Sequence, residues 1–103
     1  MNTESLSTMS DGEVVERLKQ LLAKERRLTA AVLVHLAEVE ARRLYASAAC
    51  PSMHVYCVRV LGMSDDQAFK RIRAARAARR FPVVERAVAD GVLHLSGAVL
   101  LAP

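Results

Sequence analysis

From Val14 onward, apolar residues recur at three- and four-residue steps: Leu18, Leu21, Leu22, Leu28, Val32, Leu36 and Val39, with Lys19, Lys24, Arg26, Glu38 and Glu40 between them. That period belongs to a helix with one apolar face. Ser10-Asp11-Gly12-Glu13 has the S-x-x-E spacing of a capping box, in which hydroxyl and carboxylate satisfy the open N–H groups of a helix start. No Gly or Pro interrupts residues 13–49, so the pattern predicts a single helix from the cap to near Tyr45. Such a helix is longer than a small domain needs, and usually spans the molecule or pairs with another chain. Residues 1–9 carry neither a basic cluster nor an apolar run and are expected as a disordered tail.

Beyond Tyr45 the chain is punctuated. Ala46–Ser52 ends in Cys50-Pro51-Ser52, where a first helix should stop and a second begin with Ser52 as its cap. Met53 to Leu61 is then a short helix, and Gly62 fits the left-handed position after a helix end. Ser64-Asp65-Asp66-Gln67 repeats the capping-box spacing and starts a third helix. Phe81-Pro82 stops it near Arg80, because the residue before Pro is pushed out of the helical region. Val83 to Ala89 reads as a fourth helix, closed by Asp90-Gly91. The expected fold is all-α: a long amino-terminal helix packed on a helix-turn-helix-like pair and short closing helices, in one domain over residues 10–103. The apolar stretch from Val92 to Pro103 suggests a docked final helix from about Ser96, or a chain cut short of a partner segment.

The 103-residue length leaves little room for a second domain or a large catalytic fold. Ala, Val and Leu supply most of the 52% apolar residues and only four positions are aromatic, so the core should be packed from small side chains. Net charge is +4, and twelve of the fifteen basic residues are Arg, whose planar donor fork suits phosphate. Cys50 and Cys57 are too few and too close for a secreted disulfide framework. With no signal peptide and with Pro51 breaking the longest uncharged stretch, a cytoplasmic location and no membrane span are expected.

The strongest local signal is Lys70 to Arg80, with six positive charges in eleven residues and no acid. On a helix, Lys70, Arg73, Ala77 and Arg80 share one stripe, while Ala68, Ile72, Ala75 and Arg79 share a roughly opposite one. The turn before it, Leu61-Gly62-Met63-Ser64, completes the outline of a helix-turn-helix whose second helix enters a DNA major groove. Lys70, Arg71, Arg73, Arg76, Arg79 and Arg80 are the candidate DNA-binding residues. The competing reading is a solvated basic face beside a generic turn. Four phosphate contacts would lower affinity roughly a hundredfold between about 50 and about 200 mM salt. Single-stranded nucleic acid is disfavoured, because Tyr45, Tyr56, Phe69 and Phe81 all fall where they can serve packing rather than stacking.

Cys50, His54 and Cys57 lie within eight residues, but their spacing does not match the common zinc forms, and a fourth ligand would have to come from His35 or His94. No metal or other cofactor is expected; the cysteines read as buried small hydrophobes, and His35 as a satisfied histidine at the edge of the apolar stripe. Nothing arranges Ser or Cys with His and an acid for nucleophilic catalysis, and there is no phosphate-cradling Gly loop.

Glu25-Arg26-Arg27-Leu28-Thr29 and His35 through Tyr45, followed by Tyr56 to Leu61, Arg71 to Arg76, Phe81-Pro82 and His94-Leu95-Ser96-Gly97, resemble the amino-terminal helical region of a bacterial family of HNH endonuclease-like proteins. The resemblance covers about residues 10–103. In that family the chemistry lies in a separate carboxyl-terminal segment, where His and Asn residues and a divalent metal activate water. Here the only Asn is Asn2 and the three His stand apart at 35, 54 and 94, so no catalytic residue carries over. The resemblance implies a truncated relative or a stand-alone helical region, and hydrolysis is not expected. The expected function is a non-catalytic DNA-binding or substrate-positioning module acting on double-stranded DNA. The alternative is a helical interaction module, in which the long first helix and the apolar tail pair with a second copy or with a separate nuclease. A remnant without activity is the third reading.

Overall fold

The computed structural model describes residues 3–91 together with Gly97. Six helices follow in chain order among them: α1 (Thr3–Ser7), α2 (Asp11–Ala41), α3 (Leu44–Ser47), α4 (Met53–Arg59), α5 (Asp65–Arg80) and α6 (Pro82–Ala89). The all-α class and the long first helix packed against shorter ones are as the hydrophobic period predicts. Residues 92–96 and 98–103, including the expected final helix, lie outside the described residues.

Local capping explains the helix starts. Ser10, Ser52 and Ser64 accept the backbone N–H of Glu13, Val55 and Gln67, respectively. The reciprocal half of the box forms only at α5, where the Gln67 side chain accepts the Ser64 N–H at 3.1 Å; at α2 the Ser10 hydroxyl donates to the Glu13 carboxylate at 3.0 Å instead. Gly62, at φ 75°, supplies the left-handed turn between α4 and α5. Gly91, at φ 77°, closes α6 so tightly against α2 that a Cβ there would lie 2.8 Å from Nε of Arg26.

Ahead of the first cap, Thr3–Ser7 forms a one-turn helix. One expectation is corrected. The long helix, expected to run to near Tyr45, ends at Ala41: Arg43 takes a left-handed conformation at φ 56° and α3 starts at Leu44. The reason is tertiary, since the break turns the chain so that Tyr45 packs against the core, and neither Gly nor Pro is needed to signal it.

The core is assembled from the second half of α2 (Ala30, Leu33, Leu36, Ala37), from Met53 and Cys57 of α4, from Val84 and Val88 of α6, and from α5. The α5 contribution is Ile72 and five alanines, among which Ala68, Ala74 and Ala77 are fully buried. With side chains this small, α5 lies close against α2, α4 and α6 on most of its circumference. No residue of α2 before Ala30 is buried. The molecule is accordingly elongated, 51 × 28 × 20 Å with a radius of gyration of 16.6 Å, against about 13 Å for a compact chain of this length. No helix among the described residues is long and apolar enough to cross a membrane.

Candidate functional site

Because α5 is wrapped on most of its circumference, its six cations cannot share one face. Ala77, expected in the cationic stripe, is fully buried. The exposed arc instead carries Phe69, Arg73, Arg76 and Arg80, at steps of four, three and four residues.

Carboxylates take up half of the cluster. Lys70 pairs with Asp66 one turn earlier on α5 at 3.0 Å. Arg76 reaches across to α2 and grips Glu40 in a forked arrangement: its Nε donates to both carboxylate oxygens at 2.9 and 3.2 Å, and its Nη2 donates to Oε2 at 2.7 Å. That hydrogen bond raises the Arg76 pKa further. Arg79, expected on the packing stripe, is exposed, lies 3.7 Å from Glu38 and donates to the Ala37 carbonyl at 3.5 Å. Glu38 also accepts from Arg42 at 2.9 Å, and that bond and charge hold its carboxyl below the usual range. Of the six candidate DNA-binding residues, Arg76 and Arg79 are thus neutralised by α2.

The other three point different ways. Arg71 is half-buried toward α2, in a small cavity with Glu25, Thr29 and Leu33. Arg73 lies over the Phe69 ring at 5.4 Å, and Arg80 over Phe81 at 5.5 Å. Among the described residues none of these three has a carboxylate within salt-bridge distance. Tyr45 and Tyr56 pack against the core as expected, but Phe69 and Phe81 are 51% and 44% exposed, which corrects the assignment of all four aromatic rings to packing.

No protein-family model, characterised protein or solved structure matches the chain.

The remaining candidate residues are placed as follows. Cys50 and Cys57 are free and buried, and burial, chiefly, raises the Cys57 thiol pKa. His54 Nε2 meets Asp65 at 3.0 Å, tying α4 to the start of α5. His35 is satisfied through Nδ1, 2.7 Å from the Ala31 carbonyl oxygen. Among the described residues no group of three or more His, Cys, Asp or Glu is placed to hold a metal ion.

A second surface carries more than the cations do. Along the free half of α2, Val14, Val15, Leu18, Leu21, Leu22 and Leu28 are between 38% and 66% exposed, and Val32 continues the line. From Val14 to Val32 this apolar face runs for about 27 Å. It leads into an open groove of about 490 Å³ between the second half of α2 and the α4–α5 turn, walled by Leu28, Val32, His35, Val39, Leu61 and Met63. The spacing of these residues is visible in the sequence, but their exposure is not.

Proposed function

We propose that the protein is a non-catalytic helical self-association module whose contact face is the exposed apolar side of α2, received by a second copy of the same chain. The observation that carries this reading is the row from Val14 to Val32, which leaves leucine and valine side chains about half in water over half the length of the longest helix. Apolar faces of this extent mark interaction surfaces, and a solitary helical arm of this length is marginal in water without packing. A cytoplasmic setting, where thiols stay reduced, suits the free Cys50 and Cys57.

Light scattering across a wide concentration range tests it. The wild-type chain should give a mass of twice 11.3 kDa, and a Leu18→Asp/Leu28→Asp variant should give the single-chain mass with unchanged helicity. A wild type that stays monomeric at every concentration refutes the reading.

DNA contact is the second reading, favoured by the half-buried Arg73 and the exposed Arg80 with their aromatic neighbours. It is the positioning role implied by the resemblance to HNH endonuclease-like proteins. With two phosphates neutralised rather than four, affinity should fall only about tenfold between about 50 and about 200 mM salt. An Arg73→Ala/Arg80→Ala variant that binds duplex DNA as tightly as wild type removes this reading.

A further inference from the structure

We infer that the second copy lies antiparallel, with the free half of each α2 seated in the groove beside Leu61 and Met63 of the other; this rests on the self-association reading. The face is a heptad seam. Residues 14, 18, 21, 25, 28, 32, 35 and 39 alternate steps of four and three, the spacing of positions that meet across a two-helix interface. Six of them are Val or Leu; Glu25 and His35 are the exceptions.

Those two exceptions decide the direction. In a parallel pair, equivalent positions face each other, so Glu25 would meet Glu25 and His35 would meet His35 in the seam, like against like and withdrawn from water. An antiparallel pair moves the two His35 to opposite ends and offsets the two Glu25 by one seam layer, about 4.5 Å along the axis, so that each faces a leucine. The register that fills the seam sets Val14 against Val39, Leu18 against His35, Leu21 against Val32 and Glu25 against Leu28, each pair occurring twice about the symmetry axis.

Two independent features fit this register. Val14 and Leu18 of one copy reach the open apolar groove formed by Val32, Val39, Leu61 and Met63 of the other. The helix ends are also complementary in charge. Asp11 at the start of α2 arrives beside Arg43 and Arg42, which follow its last residue, Arg42 being shared with Glu38, whereas parallel pairing brings acidic start onto acidic start. α5 and α6 pack against α2, whose buried residues Ala30, Leu33, Leu36 and Ala37 all lie outside the seam.

Cysteine cross-linking tests the arrangement. Leu18 and His35 are exposed, so a Leu18→Cys/His35→Cys chain should keep its fold. The two positions are about 25 Å apart on one helix, too far for an internal bond. Mild oxidation should convert this variant, and a second Val14→Cys/Val39→Cys variant, largely to covalent dimer. Wild type, whose Cys50 and Cys57 are buried, and chains carrying Leu18→Cys or His35→Cys alone should stay uncoupled. Ready coupling of Leu18→Cys alone means a parallel pair and overturns the inference while leaving self-association intact. Failure of both double variants to couple, in a chain that scatters as a dimer, overturns it equally. A monomeric wild type overturns the underlying reading as well, and leaves the face to residues 92–103 or to a different protein.

Discussion

The forked contact between Arg76 and Glu40 joins α5 to the end of α2 across 36 residues of sequence, and its strength can be measured by a double-mutant cycle. Replacing Glu40 by Gln and Arg76 by Met, singly and together, removes the charges while keeping most of the volume. A hydrogen bond between charged groups contributes about 1.5–3 kcal/mol when shielded. Here Glu40 is 27% exposed and Arg76 49%, so solvent screening reduces the expected coupling to about 1 kcal/mol. The more exposed one-turn pair Arg42–Glu38 should couple more weakly. Urea unfolding should be followed in the Leu18→Asp/Leu28→Asp background, where association does not contribute. A coupling below about 0.3 kcal/mol would show that the contact does not tie α2 to α5. The same variants report on the second reading. Glu40→Gln releases a guanidinium onto the exposed arc of α5, so duplex DNA should bind this variant more tightly than wild type if that arc touches phosphate. Unchanged binding would argue that it does not.

Leu33 is fully buried, and Leu33→Ala should cost about 2–5 kcal/mol in the same urea assay; a loss under about 1 kcal/mol would mean that the α2–α5 core collapses around the gap. Gly62 has open space where a Cβ would go but a φ of 75°, so Gly62→Ala should destabilise through backbone strain alone, by about 1–2 kcal/mol, with no change in the contacts of α4 and α5 by NMR. Glu38 is held below its ordinary pKa first by the hydrogen bond from Arg42 and then by that residue's charge. Its contribution is present above the unfolded carboxylate pKa and is lost as pH falls through the lower folded one. Glu38→Gln should therefore flatten the acid limb of the stability-versus-pH curve and leave its neutral and alkaline parts parallel to wild type, and an unaltered acid limb would contradict the assignment.

What could be read from the sequence divides by the range of the interaction that decides it. The start of α5 at Asp65 and its end at Arg80 follow from Ser64, Gln67 and Pro82, each acting within a turn of the boundary. The end of α2 depends on Tyr45 finding the core, and no residue near Arg43 announces that. Charge behaves alike: Lys70 to Arg80 is basic on paper, yet Glu38 and Glu40, more than thirty residues earlier, neutralise Arg79 and Arg76. The apolar stripe of α2 posed the opposite problem, since a stripe reads the same whether it covers its own core or another chain. Length resolves it. At 31 residues α2 is about 46 Å long, while α5, the longest helix beside it, has 16 residues and spans about 24 Å. A body built on α5 spans roughly half the length of α2, so among the described residues the Val14 to Leu28 face is left exposed, and a second copy offers an apolar surface of matching length.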